Sequence, residues 1–277
     1  MTTFAVAGLA QMGRAGAQTP SKSTGRLKQC VTSGVFDPKM SFEDRCRMAA
    51  DLGCVGYDLV RASDWPTLKK YGLTPTMAPP NAGVSIPNGI NDKSTHDKIE
   101  PTMRTAIDQC AAGGCPNLIT VSGSRRGMSD AEGADNSVAF LNKVKAQAED
   151  KNVTICLELL NSKIDHKDQM CDHTAWGVDV VRRVNSPKVK LLYDIYHMQI
   201  MEGDIIRTIH DNIQYIAHFH TGGVPGRHEL DDTQELQWRT IAKSIADQNF
   251  QGYLAHEFIP VRDPIASLRQ AVELCTV

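Results

Sequence analysis

From residue 27 onward the chain repeats one pattern eight times: a short apolar run rich in branched residues, a loop, then an amphipathic stretch of helical period. The apolar runs are 27–36, 54–60, 73–78, 117–122, 153–160, 189–196, 214–220 and 252–259. Strands that alternate with helices must pair in parallel through right-handed crossovers. Eight such units predict a closed (β/α)8 TIM barrel, an α/β fold in one domain spanning 27–277. The runner-up is an open doubly wound sheet, which normally carries a glycine-rich turn after its first strand. Here that strand runs into Ser33-Gly34-Val35-Phe36-Asp37-Pro38, and no P-loop is present. Local punctuation agrees with the units. Ser41, Ser129 and Asp263 stand where helix N-caps are expected, with Pro264 in the first turn of the last helix. Gly53 and Gly72 stand where helix C-terminal glycines are expected.

The chain has enough apolar material for such a core, 41% of 277 residues, with 22% charged. A net charge of −2 supplies no global field to draw in nucleic acid or an anionic membrane, and no run approaches the roughly 20 apolar residues of a membrane span. A small-molecule partner is therefore expected. Eight cysteines are scattered without any C-x-x-C pair, which predicts buried reduced thiols. Residues 1–26 stand apart. Ala15-Gly16-Ala17 before Gln18 resembles a signal cleavage site, and 19–25 reads as a linker, yet Met1-Thr2-Thr3 carries no Lys or Arg. Two readings stand: a disordered tail on a cytoplasmic protein, or the remnant of an export signal on a periplasmic one.

Four late strands carry ligand-type residues near their C-terminal ends: Glu158, Asp194, His220 and Glu257. Parallel barrel strands are covered on both faces, and an ionised carboxylate there is costly unless paired or bound to a cation. In a barrel these strand ends converge on one mouth. Three carboxylates and one imidazole form a hard, oxygen-rich donor set suited to one Mg²⁺ or Mn²⁺, with Co²⁺ also accommodated. His218 faces the same way as His220 and reads as a hydrogen-bonded core residue or a substitute ligand. His256 should face away from the axis and has no assigned role. His197, in the loop after Asp194, and Arg227, in Gly223-Val224-Pro225-Gly226-Arg227, can reach the same mouth. A guanidinium fork there would clamp a carboxylate or hydroxyl.

At these residues the sequence resembles hydroxypyruvate isomerase. The string Asp194-Ile195-Tyr196-His197-Met198-Gln199 is the most specific part. Met201-Glu202-Gly203-Asp204, Leu157-Glu158 with Asn161, Pro225-Gly226-Arg227-His228-Glu229, and Glu257 near Pro260 add to it. The wider group is the xylose-isomerase-like barrel superfamily, with ketose 3-epimerases, inosose dehydratase and endonuclease IV. The resemblance implies metal ligands at Glu158, Asp194, His220 and Glu257, with both Glu also serving as acid and base. It further implies substrate contacts at His197 and Arg227, and a homodimer. Three positions depart from hydroxypyruvate isomerases. Leu159 replaces the usual Pro, Gly223 stands where Asp is usual, and His220 replaces the usual Gln, as in ketose 3-epimerases.

The chemistry so implied is proton transfer beside a carbonyl through an enediolate. Returning the proton to the neighbouring carbon isomerises, as in hydroxypyruvate to tartronate semialdehyde. Returning it to the same carbon from the opposite face epimerises, as in a ketose 3-epimerase. A metal-dependent dehydratase and a non-catalytic sugar-binding barrel are the other readings. A nuclease would need a crowded multi-zinc site and a DNA-binding face, which the few available His and the net charge do not supply.

Overall fold

A computed structural model describes residues 25–277, so the tail or signal expected at 1–26 lies almost wholly outside the described residues. Eight strands and nine α-helices follow one another along the described chain. They are β1 (Lys28–Val31), α1 (Phe42–Asp51), β2 (Gly56–Asp58), α2 (Trp65–Lys70), β3 (Thr74–Met77), α3 (His96–Gly113), β4 (Asn117–Thr120) and α4 (Asp130–Asp150). Then come β5 (Thr154–Glu158), α5 (Thr174–Val184), β6 (Val189–Asp194), α6 (Ile195–Met201), α7 (Ile205–Asn212), β7 (Ile216–Thr221), α8 (Trp238–Asp247), β8 (Tyr253–His256) and α9 (Pro264–Cys275). The strands run in parallel in the order β3-β2-β1-β8-β7-β6-β5-β4. The β3–β4 seam is closed at Ala78, whose N–H donates to Asn117 O (2.8 Å) and whose carbonyl accepts from Ile119 N (3.2 Å). The eight-unit barrel expected from the sequence is thus the observed fold.

Each of the eight apolar runs holds a strand shorter than itself, although β7 passes the end of its run by one residue, Thr221. The first run reaches Phe36, yet β1 ends at Val31 and a 3-10 turn occupies Ser33–Val35. The reason is that apolarity marks burial, and the loops that leave a barrel strand stay buried for several residues. Val35 and Phe36 are buried although they lie outside the strand. The sixth run has a sharper change. Asp194 caps a new helix, accepting from His197 N (3.2 Å), so Tyr196 and His197 are helical and not loop.

The core has two parts. Helices pack their apolar stripes on the outside of the sheet, with Phe140, Val144, Val180, Ile209, Ile245 and Leu268 among the buried residues. Inside the barrel, Met77, Ile119, Cys156 and Leu192 form a separate apolar plug. Glu158 lies two residues beyond Cys156, and Asp194 two beyond Leu192. Strand periodicity therefore lifts these carboxylates one layer above the plug, at the C-terminal mouth. All eight cysteines are buried and unpaired, as expected. No helix among the described residues is long and apolar enough to cross a membrane.

Candidate active site

At the mouth, Glu158 from β5, Asp194 from β6, His220 from β7 and Glu257 just beyond β8 come together. Each offers one ligand atom, and these atoms lie within 4.8 Å of one another. His220 Nδ1 is 2.5 Å from Glu257 Oε2, 3.8 Å from Glu158 Oε1 and 3.9 Å from Asp194 Oδ2. Asp194 and His220 are fully buried, Glu158 nearly so, and the Glu257 side chain is 25% exposed on the solvent side.

The residues fit a divalent cation on two counts. Their donors are hard carboxylate oxygens and one imidazole nitrogen aimed at a common point. Their charges also do not balance. Arg227 Nη2 binds Asp194 Oδ2 (2.6 Å) and Glu257 Oε2 (2.7 Å), but among the described residues no Arg or Lys forms an ion pair with Glu158. Burial, with His220 pulling the other way and Glu257 and Asp194 adding repulsion, pushes the Glu158 carboxyl up to about 8. Burial would also raise Glu257, but His220 and Arg227 outweigh it and hold that carboxyl at about 2. A further cation is what would let Glu158 ionise beside its neighbours.

Arg227 owes its position to its loop. Val224-Pro225 is a cis peptide, Gly226 has φ 90°, and Arg227 itself sits at φ 58°. A non-glycine residue in this left-handed region costs roughly 1–2 kcal/mol. The conformation is held by Ile259 N, which donates to Arg227 O (2.6 Å), and by Gly223 N, which donates to His228 O (2.9 Å). The guanidinium then lies over the Tyr196 ring, 4.8 Å from its centroid. It is a largely buried residue and not a surface Arg, its side chain only 16% exposed.

His197 is packed beside it. Asn161 Oδ1 accepts from Ile164 N (3.0 Å) and Asp165 N (2.9 Å), which fixes its amide so that Nδ2 faces His197 Nδ1 at 2.6 Å. In the tautomer in which Nδ1 accepts there, the proton of the neutral ring is on Nε2. Burial, opposed by Asp194, pushes the imidazole down to about 4, so it is neutral near pH 7. Nε2–H meets Arg227 Nη1 at 2.7 Å. In that tautomer both are donors, whereas in the other Nε2 accepts from Arg227 and Nδ1 meets the Asn161 amide donor instead. The first brings two N–H groups together beside the carboxylates, where an oxygen acceptor would satisfy both.

The sequence reading missed Asp58 on β2. It is fully buried directly under the mouth and bonded to both His218 and His220. The signal was available: an acid inside Gly56-Tyr57-Asp58-Leu59-Val60 is as costly as those in the late strands. His218 is indeed a hydrogen-bonded core residue. His256 packs away from the cluster, against Thr221 Oγ1 (3.1 Å) and Gln29 Oε1 (3.0 Å).

Comparisons with known proteins bear on this site. A family model described as xylose isomerase-like TIM barrel matches residues 66–276. The chain is 25% identical over 171 residues to the putative hydroxypyruvate isomerase of Homo sapiens, covering 60% of this chain and 62% of that protein. The match therefore spans about three fifths of that relative's length. It is 32% identical over 127 residues to the D-psicose 3-epimerase of Ruminiclostridium cellulolyticum, covering 44% of this chain and 40% of that one. Among solved structures, the AP endonuclease, family 2 from Brucella melitensis superposes with a TM-score of 0.79 at 22% identity, covering 87% of this chain and 96% of that one. That likeness concerns the fold alone.

Proposed function

Because the chain belongs to the xylose isomerase-like TIM barrel family, we propose that it is a metal-dependent isomerase acting on a small hydroxy-carbonyl compound, with hydroxypyruvate to tartronate semialdehyde as its reaction. The observation that carries this reading is the meeting of Glu158, Asp194, His220 and Glu257 at the barrel mouth beside Arg227 and His197. The first four would hold the ion. A bound Mg²⁺ or Mn²⁺ would polarise the substrate carbonyl and offset charge that develops on its oxygen.

The remaining steps belong to the side chains. One of Glu158 and Glu257 takes the carbon-bound proton as a carboxylate, and a Glu returns a proton to the neighbouring carbon. The unlike environments of the two carboxyls favour such a division of labour. His197 Nε2–H donates to the oxyanion, and its neutral state keeps it a donor without adding charge. Arg227 holds a substrate carboxylate or distal hydroxyl, since its fork matches a carboxylate bidentately.

A second reading, a ketose 3-epimerase, is favoured by His220, which replaces the Gln usual in hydroxypyruvate isomerases, and by the likeness to a D-psicose 3-epimerase. The same groups would serve, with the proton returned to the same carbon from the opposite face. One experiment tests both. The Mn²⁺-loaded protein is incubated in D₂O with a panel of small α-hydroxy ketones and aldehydes, and NMR follows deuterium entering beside the carbonyl. Hydroxypyruvate should exchange and yield tartronate semialdehyde, and EDTA should stop it. Exchange into a ketose with inversion selects the epimerase. Binding without exchange in any member would sink both and leave a sugar-binding barrel.

A further inference from the structure

Directly beneath the proposed metal site lies a buried carboxylate, Asp58, that is not among its ligands. Asp58 Oδ2 accepts from His220 Nε2 at 2.9 Å and from His218 Nε2 at 2.8 Å. Its Oδ1 accepts from Thr76 Oγ1, with the Cys30 thiol at 3.7 Å. Asp58, Thr76, Cys30, His218 and His220 are all fully or almost fully buried. An imidazole can present either nitrogen to a ligand, and which one is protonated is set by what the other meets. Asp58 breaks that symmetry. By accepting from Nε2–H it ties that nitrogen down, and Nδ1 is the one that lies among Glu158, Asp194 and Glu257, where a cation would take the place of a proton. That Nδ1 is buried, with Glu257 Oε2 its nearest oxygen at 2.5 Å.

We propose that Asp58 is a positioning residue for the metal site, locking His220 so that Nδ1 faces the point shared by the three carboxylates. This rests on the metal-dependent reading above and deepens it. Cys30, Asp58 and His218 also lie close enough to one another to hold an ion. However, the Asp58 oxygens are already engaged by three strong donors, so this group acts as the support beneath the mouth and not as a second site. His218 shares the same oxygen but does not reach the cluster, which makes it the natural control.

The test measures Mn²⁺ binding directly, by the EPR signal of free Mn²⁺, alongside urea unfolding of each metal-free protein. Asp58→Asn keeps the volume of the side chain and removes its charge. Loss of a carboxylate behind a ligating imidazole should weaken Mn²⁺ binding about 10- to 100-fold. Thr76→Val, which frees Asp58 on its other oxygen, should weaken it to a smaller extent. His218→Gln, which changes a partner of Asp58 but nothing that meets the cluster, should lower stability and weaken Mn²⁺ binding no more than Thr76→Val does. A folded Asp58→Asn protein with wild-type Mn²⁺ affinity would overturn the inference. So would an equal loss in His218→Gln, which would mean that general disruption of the buried cluster is responsible. If Asp58→Asn does not fold, Thr76→Val decides, and unchanged affinity there overturns it. A wild-type chain that binds no Mn²⁺ at all would instead remove the metal-dependent reading itself.

Discussion

The burden on single residues is greatest at Glu257, which touches both His220 and Arg227 and is the most solvent-accessible of the clustered acids. Glu257→Gln preserves size and some hydrogen bonding but removes the carboxylate. If this group moves a proton, kcat should fall by about 10²–10⁴-fold. The fold should survive, because Gln keeps the size of the side chain and Asp194 still pairs with Arg227. Near-normal turnover in a folded variant would remove Glu257 from the chemistry. The proposed site was legible at these positions for one physical reason. An acid in a strand covered on both faces needs a partner, and several such acids at matching strand ends point to a shared one. The same argument applied to β2 would have exposed Asp58, but a single acid in an early strand does not stand out without its spatial partners, His218 and His220, which lie some 160 residues away in sequence. The shaping of Arg227 was not legible either. Pro225-Gly226 signals a turn, but the left-handed φ at Arg227 and its stacking on Tyr196 arise from contacts between β7, α6 and the segment after β8.

Elements were read more reliably by their centres than by their ends. The N-caps expected at Ser41, Ser129 and Asp263 each accept from a backbone N–H three residues on, and Gly53 and Gly72 adopt positive φ. These signals are local, which is why the sequence carries them plainly. Helix α6 was not read, because it follows β6 without a break and its first four residues are all buried, so its start looked like a continuation of β6. Its formation has a consequence for the site. The turn of α6 brings His197 back over Asp194, with Nε2 3.7 Å from Asp194 Oδ2, which an extended strand would not do. A cap farther from the mouth offers a clean test of element stability. Ser129 Oγ accepts from Glu132 N at 3.2 Å and starts the 21-residue α4. Ser129→Ala should cost about 1 kcal/mol in chemical denaturation. Turnover and Mn²⁺ affinity should stay at wild-type levels, since α4 lies outside the sheet and contributes nothing to the cluster. A loss of metal affinity in this variant would mean that the mouth depends on helix packing more than on strand ends.

For the molecule as a whole, closure of the barrel buries groups that titrate, and this sets the response of the fold to acid. His96, the first residue of α3, is 3% exposed and bonds the Ile90 carbonyl at 2.9 Å. Burial holds its imidazole below the ordinary value. His256, enclosed between β1 and β7, is pushed down to about 3 by burial. For such groups the unfolded chain takes up a proton first. Stability is therefore complete above the unfolded pKa of about 6.5 and declines as pH falls toward the folded value, by at most about 1.4 kcal/mol per pH unit for each group. Asp172 behaves differently in position but not in direction. Burial alone would raise its carboxyl, yet Arg125, Ser162 and His173 hold it low. Its contribution is present above the unfolded pKa of about 3.9 and is lost as pH falls through the lower folded value. Acid should therefore weaken the barrel in two stages, a first below about pH 6.5 from buried imidazoles and a second below about pH 4 from paired carboxylates. Urea midpoints measured across this range should show both. His96→Gln should make the first stage shallower and leave the second in place, because the histidine and the Asp172 cluster occupy different parts of the fold. A midpoint that holds constant from neutral pH down to about pH 4.5 would mean that these imidazoles take up protons equally well in the folded and unfolded chains.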